Sequence, residues 1–196
     1  MSRRRHRVPA RRLARSLLLA ALGGMIIGIS SSAPGQTPDR DASIQAFRGM
    51  LDVLRHPRCL NCHPSGDFPR QGDDRHRHRM LVMRGPDDHG NPTLRCSTCH
   101  QTANSPDGLV PGAPHWGLAP RSMGWEGLSD ADLCRTLKDP AQNKGRTVPA
   151  LVEHMTGDAL VQWAWQPGAR PAPPVGQQEF HALVRRWAAT GAACPQ

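Results

Sequence analysis

The sequence predicts a mainly α-helical domain with extensive irregular loops. Several segments repeat apolar residues at spacings of three and four, which is the period of an amphipathic helix. No segment shows the sustained alternation of apolar and polar residues that is typical of a half-buried strand. The 196 residues include 19 Gly and 19 Pro. That share predicts many turns but falls short of the level typical of disordered chains.

Residues 1–33 have the layout of a secretory signal peptide. Seven arginines and no acidic residue precede an apolar stretch from Leu17 to Ile27, and small residues follow up to Ala33. The apolar stretch is shorter than the roughly 20 residues of a membrane span. We therefore expect cleavage near Ala33, no stable membrane span in the mature protein, and a periplasmic location. An uncleaved N-terminal anchor is the alternative.

The net charge of +9 is concentrated in the same segment. Without its seven arginines, 18 basic residues remain against 16 acidic ones, a net charge of about +2. The high pI therefore belongs to the export segment, and we expect no nucleic-acid partner.

Residues 34–42 are predicted to form a flexible N-terminal linker, and residues 43–196 a single domain. Apolar residues at spacings of 3, 4 and 3 predict a first helix from Ser43 to Leu54. Residues 64–120 are rich in Gly, Pro, Asp and Asn and are predicted to be mostly loop.

The second half of the domain carries signals for four further helices. Ser129 is a predicted N-cap, as are Thr147 and Asp158, which begin the next two helices. A proline-rich linker over 167–174 precedes the last helix, which Gly191 closes. The five tryptophans are predicted to lie in the core or against a cofactor.

Two pentapeptides carry the chemistry: Cys59-Leu60-Asn61-Cys62-His63 and Cys96-Ser97-Thr98-Cys99-His100. Each is C-x-x-C-H, the pattern of c-type haem attachment. Two thiols at this spacing reach the two vinyl groups of one haem, and the following histidine offers its imidazole to the iron. The sequence therefore predicts two covalently attached c-type haems with His63 and His100 as proximal ligands. We expect the two apolar haem plates to form much of the core.

Two other interpretations of the same cysteines remain open at this point. Two C-x-x-C pairs 37 positions apart could form a zinc ribbon, or each pair could form a disulfide within its own loop. The histidine after the second cysteine of both copies favours haem, because neither alternative requires it.

Cys134 and Cys194 remain once the two motifs are assigned. In an oxidising compartment an isolated pair of this kind is expected to form a disulfide. We predict a structural bridge between the helix after Ser129 and the C-terminus.

The second axial ligand of each iron decides the function, because a histidine closes the site, a methionine raises its potential and a vacancy admits small molecules. His78 lies near the apolar segment Met80 to Met83, and His154 lies near the apolar face of its predicted helix. We predict these two as distal ligands. The alternatives are His76, His115 and Met123.

A family resemblance points the same way. It rests on Arg58 to Pro64, Gly72-Asp73, Arg84 to Asp87, Cys96 to His100, Leu137 to Pro140 and Gly191 to Pro195. Over residues 45 to 195 the chain resembles small bacterial dihaem cytochromes of the isoquinoline 1-oxidoreductase subunit family. The resemblance implies a periplasmic electron-transfer subunit that is not itself catalytic. It would accept electrons from a dehydrogenase such as a molybdenum hydroxylase and pass them to a downstream cytochrome or oxidase.

A different class of function is a dihaem peroxidase or small-ligand haem sensor with one five-coordinate iron. A structural zinc module is a third possibility. Two six-coordinate irons would exclude the second class, and a coloured protein without zinc would exclude the third.

Overall fold

The computed structural model describes residues 39–196. The predicted signal peptide and residues 34–38 of the predicted linker lie outside these residues. Within the described part of the chain, no helix is both long and apolar enough to cross a membrane.

The described residues are mainly helical with long loops, as predicted. The helices are α1 (Arg40–Leu54), α2 (Pro57–Leu60), α3 (Asp130–Lys138), α4 (Val148–Gly157), α5 (Ala159–Gln162) and α6 (Gln177–Ala189). Short 3-10 helices lie at Arg79–Leu81, Cys96–Thr98, Arg121–Met123 and Trp163–Trp165.

The long segment between α2 and α3 is irregular apart from two small antiparallel hairpins. The first joins β1 (Arg70–Gln71) to β2 (His76–Arg77), and Gln71 faces His76. The second joins β3 (Gly90–Asn91) to β4 (Leu94–Arg95) and ends directly at Cys96. The hairpins therefore position the polar segment around His78 and the second C-x-x-C-H motif.

Helix α1 begins three residues before the predicted start. The side chain of Asp39 accepts a hydrogen bond from the Ala42 N–H at 3.0 Å and caps the helix. Ser43 is instead fully buried inside it. As the N-cap, Asp39 accepts a hydrogen bond from a free N–H group of the first turn. Ser43 lies inside the helix and cannot reach those groups.

The predicted caps of the later helices are confirmed. Ser129, Thr147 and Asp158 each accept a main-chain hydrogen bond at the start of α3, α4 and α5. Gly191 follows α6 with a φ of 104°, a conformation that favours glycine. These signals are local, so the sequence alone was sufficient to place them.

The core is built on the packing of α1 against α6. Phe47 and Trp187 are fully buried, with ring centroids 5.9 Å apart. Ser43 ties the two helices together, because its hydroxyl donates to the Trp187 carbonyl at 3.0 Å and accepts the Ala193 N–H at 2.8 Å. This buried hydroxyl therefore has both a donor and an acceptor partner.

The predicted disulfide is confirmed between Cys134 of α3 and Cys194 near the C-terminus, with Cα atoms 5.6 Å apart. It fixes the C-terminal residues beside the buried end of α6. The helical core thereby forms one wall against which the irregular segment is folded.

Candidate cofactor-attachment sites

The first C-x-x-C-H motif starts inside α2. His56 caps this short helix through Nδ1, which accepts the Arg58 N–H at 3.2 Å. The turn continues as the Cys62 N–H donates to the Cys59 carbonyl at 3.1 Å. This turn brings both thiols to the wall of one cavity.

The second motif has the same local turn in a 3-10 helix. The Cys99 N–H donates to the Cys96 carbonyl at 3.2 Å, and the His100 N–H donates to the same carbonyl at 2.9 Å. Both thiols again line one cavity, together with His100. The two motifs thus share the turn between their cysteines, whereas the His63 N–H donates to the Leu60 carbonyl and not to that of Cys59.

The first site is the cavity lined by Cys59, Cys62 and His63. Its volume is about 270 Å³. The apolar lining comes from several helices and includes Val53, Leu54, Leu137, Leu151, Met155 and Phe180. The volume of this cavity lies just below the range of about 300–1,000 Å³ typical of small-molecule and cofactor sites.

The second site is the cavity lined by Cys96, Cys99 and His100. Its volume is about 150 Å³. Its lining is mostly irregular chain and includes Val82, Leu94, Leu118, Trp116 and Trp163. The two sites share part of their walls, because Arg58, Cys62, Gly117, Leu118 and Trp163 line both.

The imidazole of His63 is held in one orientation. Its Nδ1 lies 2.8 Å from the Met123 carbonyl, and its ring stacks on Trp125 with centroids 3.4 Å apart. A carbonyl acceptor requires the proton on Nδ1, which leaves the lone pair of Nε2 free. Burial lowers the pKa of His63 to about 3, so the ring is neutral at physiological pH. A neutral imidazole oriented through Nδ1 is the form that binds iron.

His100 is held in the same way. Its Nδ1 lies 2.7 Å from the Pro111 carbonyl, and its ring is nearly parallel to Trp116 at 4.7 Å. Burial lowers its pKa as well. Gly112 makes the approach possible, since a side chain there would collide with the Ala103 carbonyl. Both proximal candidates therefore use a loop carbonyl and an indole as their support.

His78 faces His100 across the second site. The two ring centroids are 6.0 Å apart and their planes are inclined by 72°. Metal–nitrogen bonds of about 2 Å on both sides of one ion place two imidazole centroids about 6 Å apart. The Nδ1 of His78 lies 2.6 Å from the Arg79 carbonyl, which again leaves Nε2 free. The geometry of this pair fits one iron between two imidazoles.

His154 lies in the first site with His63. Its Nδ1 is 3.1 Å from a carboxylate oxygen of Asp158, the acceptor that most strengthens an imidazole as a ligand. Burial lowers the pKa of His154, and repulsion from a charge on His154 contributes to the low pKa of His63. Both imidazoles therefore line the same cavity.

The alternative ligands are less well arranged. His76 lines neither cavity, and its Nδ1 is 2.6 Å from Asp74. His115 lines the first site but is exposed. Met123 contacts His63 through its main-chain carbonyl, which accepts the hydrogen bond from Nδ1 of that proximal candidate. His89 also lines the first site, with its Nδ1 3.2 Å from the Trp116 carbonyl.

The two other interpretations of the motif cysteines find no support in this arrangement. All four are free thiols, so neither C-x-x-C pair forms a disulfide. Among residues 39–196, no group of three or more His, Cys, Asp or Glu side chains is gathered together. Burial raises the pKa of Cys59 to about 12 and that of Cys62 to about 11, so both are protonated thiols at neutral pH in this structure.

The polar lining of both cavities is mainly cationic. The second site is lined by Arg58, Arg70, Arg95 and Arg170 and by no carboxylate of the described chain. The first site has Arg58, Lys144 and Arg146 against Asp158. An apolar cavity with a cationic rim fits a flat apolar group that carries carboxylates, as haem does.

Several buried donors lack an acceptor among the described residues, and two of them line a motif cavity: Nε of Arg58 and Nε1 of Trp125. Nε of Arg75 and Nε of Arg84 are also unpaired but line neither cavity. Arg58 and Trp125 both line the first site. Buried donors rarely remain unpaired, so a carboxylate-bearing group in this cavity fits them. The residues present are thus compatible with haem at both motifs.

Sequence reasoning did not identify the roles of two arginines, Arg84 and Arg58, and gave only a general role to two tryptophans. Trp125 and Trp116 were predicted to lie in the core or against a cofactor, but their stacking on the rings of His63 and His100 was not predicted. Arg84 is buried and donates to the carbonyls of Pro64 and Gly66, which fixes the chain after His63. Arg58 appeared only as part of a motif.

Comparison with protein-family models, with curated proteins and with solved structures finds no match to this chain.

Proposed function

We propose that this protein is a periplasmic dihaem c-type cytochrome that transfers electrons. Cys59 and Cys62 would hold one haem with His63 as proximal ligand, and Cys96, Cys99 and His100 would do the same for the other. In this proposal the two macrocycles complete a cytochrome c-like core, because the cavities they fill lie between the helices and the irregular segment.

The observation that carries the proposal is the relationship of the four histidines. His63, His100, His78 and His154 each have Nδ1 beside an oxygen acceptor and each line a motif cavity. A histidine fixed through Nδ1 presents Nε2 to a metal. The second cavity pairs His100 with His78, and the first pairs His63 with His154, although His89 lines the first cavity and is also fixed through Nδ1. This arrangement supports a histidine on both sides of each iron.

Each haem iron, when bound, takes up or releases one electron as it changes between the ferric and ferrous states. The protein's own residues determine what else can happen there. His78 and His154 close the distal positions against small ligands, which favours electron transfer over peroxidase or sensor chemistry. Trp125 and Trp116 limit rotation of the proximal rings, so little rearrangement accompanies the change of charge.

The shared wall between the cavities supports transfer within the molecule. Cys62 belongs to the first motif but also lines the second site. Two groups held in these cavities would be neighbours, so an electron that enters at one site can leave from the other.

The partner proposal rests on the family resemblance. The donor would be a dehydrogenase such as a molybdenum hydroxylase, and the acceptor a downstream cytochrome or oxidase. The export signal over residues 1–33 supports the periplasmic location, where c-type haem is attached. The cytochrome itself acts as the electron-transfer subunit and not as the catalyst.

The test is maturation of the full chain in a bacterial periplasm with an active haem-attachment system. We expect a mass that includes two covalently bound haems, low-spin spectra for both irons and no reaction with carbon monoxide. The paired variants Cys59→Ala/Cys62→Ala and Cys96→Ala/Cys99→Ala should each retain one haem.

Cys134→Ala/Cys194→Ala is the matched control, since it also removes two cysteines but should keep both haems. A colourless protein of unmodified mass would disprove the proposal. A mature protein with one high-spin, carbon-monoxide-binding iron would instead support the peroxidase or sensor function.

A further inference from the structure

Arg58 is buried in an unusual position for a charged residue. Its side chain is only 3% exposed, and its one ionic partner, Asp73, is 55% exposed. Burial of an arginine is costly unless its N–H groups find acceptors. Here Nη2 donates to Asp73, whereas Nε is buried and has no acceptor among the described residues.

The position of Arg58 is equally unusual because it lines both cavities. It directly precedes Cys59 in the chain. Burial lowers the pKa of Arg58, and so does repulsion from Arg170. Asp73, Cys62 and Cys59 act in the opposite direction. The guanidinium is therefore within electrostatic reach of the attachment points of the first site and of the rim of the second.

We propose that Arg58 is a cation shared by the two sites, which binds cofactor carboxylates in both cavities and raises both reduction potentials. This inference rests on the proposed function, because it assigns a role toward the two haems and their propionate groups. A guanidinium has five N–H donors in a planar fork, and one of them is used by Asp73, which leaves enough for one carboxylate from each cavity.

The direction of the effect follows from charge. Reduction adds an electron to each site, so a nearby positive charge stabilises the reduced state. The interaction between the Arg58 charge and the added electron is strong because Arg58 is buried, where water screens charges little. Loss of the Arg58 charge should lower both potentials, and loss of the Asp73 charge should raise both because it leaves Arg58 less neutralised.

Arg170 provides an internal comparison. It lines only the second site and donates to the carbonyls of Gly108, Pro167 and Leu109, without a carboxylate partner among residues 39–196. Removal of this cation should lower the potential of the second site and leave the first unchanged.

The experiment is a redox titration of the mature dihaem protein, followed optically, for wild type, Arg58→Met, Arg58→Lys and Asp73→Asn. Arg58→Met should shift the equilibrium constant for reduction of both sites at least about tenfold, which is about 59 mV for a one-electron couple. Arg58→Lys should stay close to wild type, and Asp73→Asn should shift both sites upward. Arg48→Met is the matched control, because Arg48 is exposed on α1 and away from both cavities.

Two results would overturn the inference while the proposed function stands. In one, Arg58→Met matures with two haems and both potentials remain at the wild-type values. In the other, only one potential moves, which would make Arg58 a residue of a single site.

Asp73→Asn keeps the inference testable if Arg58→Met fails to mature, since it alters an exposed side chain and must shift both potentials upward. If it leaves them unchanged, the inference also fails. A wild-type protein without covalent haem would be recognised before any titration, and it would remove the proposed function together with this inference.

Discussion

The rings of His78 and His100 face each other with their centroids 6.0 Å apart and their planes inclined by 72°. They come from separate parts of the irregular segment: one follows the first hairpin and the other ends the second motif. Such a pair is the arrangement expected of two imidazoles that bind opposite sides of one metal ion.

The first prediction concerns His78. In the mature protein, His78→Ala should convert the second site to a high-spin form that binds carbon monoxide, because no other imidazole faces His100 at this distance in the described chain. Electron paramagnetic resonance should show loss of one of the two low-spin signals. His76→Ala is the matched control and should keep both. A variant with two unchanged low-spin signals would exclude His78 as a ligand.

The second prediction concerns His154. Replacement by methionine, whose thioether favours the reduced iron, should raise the potential of the first site by more than about 60 mV, a tenfold change in the equilibrium constant for reduction. A redox titration measures this directly. His115→Met should leave both potentials unchanged. If His115→Met moves the first potential and His154→Met does not, the distal ligand is His115.

The third prediction concerns the support of His100. A methyl group at Gly112 would meet the Ala103 and Gln101 carbonyls, so Gly112→Ala must displace the loop that carries the Pro111 carbonyl. Overpacking of this kind costs about 1–3 kcal/mol, and the spectrum of the second site should broaden while that of the first is unchanged. Gly157→Ala is the control, because nothing lies near its added methyl group. If both variants changed the spectrum of the second site equally, the loop that carries the Pro111 carbonyl would not determine the orientation of His100.

The fourth prediction concerns the disulfide. It closes a loop of 60 residues, and the chain-entropy estimate for that length is about 4 kcal/mol. Cys134→Ala/Cys194→Ala should lower the free energy of unfolding by up to that amount, measured by denaturant titration of the mature protein. Haem content and both potentials should stay at wild-type values, since the bridge lies apart from both cavities. A loss of haem would show that the bridge is needed for maturation.

The elements predicted correctly depend on short stretches of chain. Ser129, Thr147 and Asp158 cap helices through contacts two or three residues away, so local sequence was enough. The start of α1 was predicted three residues late, because Asp39 stands before the apolar repeat on which that prediction rested. The two-residue strands of the hairpins are too short to show a period.

The ligand set was predictable only in part. The motif fixes His63 and His100, since the cysteine spacing determines which histidine follows. His78 and His154 were ranked first from neighbouring apolar residues. Which histidines line the two cavities follows only from the folded loops: His76 lines neither cavity, and His115 lines the first but is exposed.

The sequence by itself determined the two attachment motifs, the helix caps and the mainly helical class, because each depends on residues within one turn of chain. The tertiary structure decided that Pro111 supports His100, that His78 faces it, and that Arg58 lies in the wall common to both cavities. These contacts join residues far apart in an irregular segment without periodicity, so their geometry follows only from how the loops pack on the helical core.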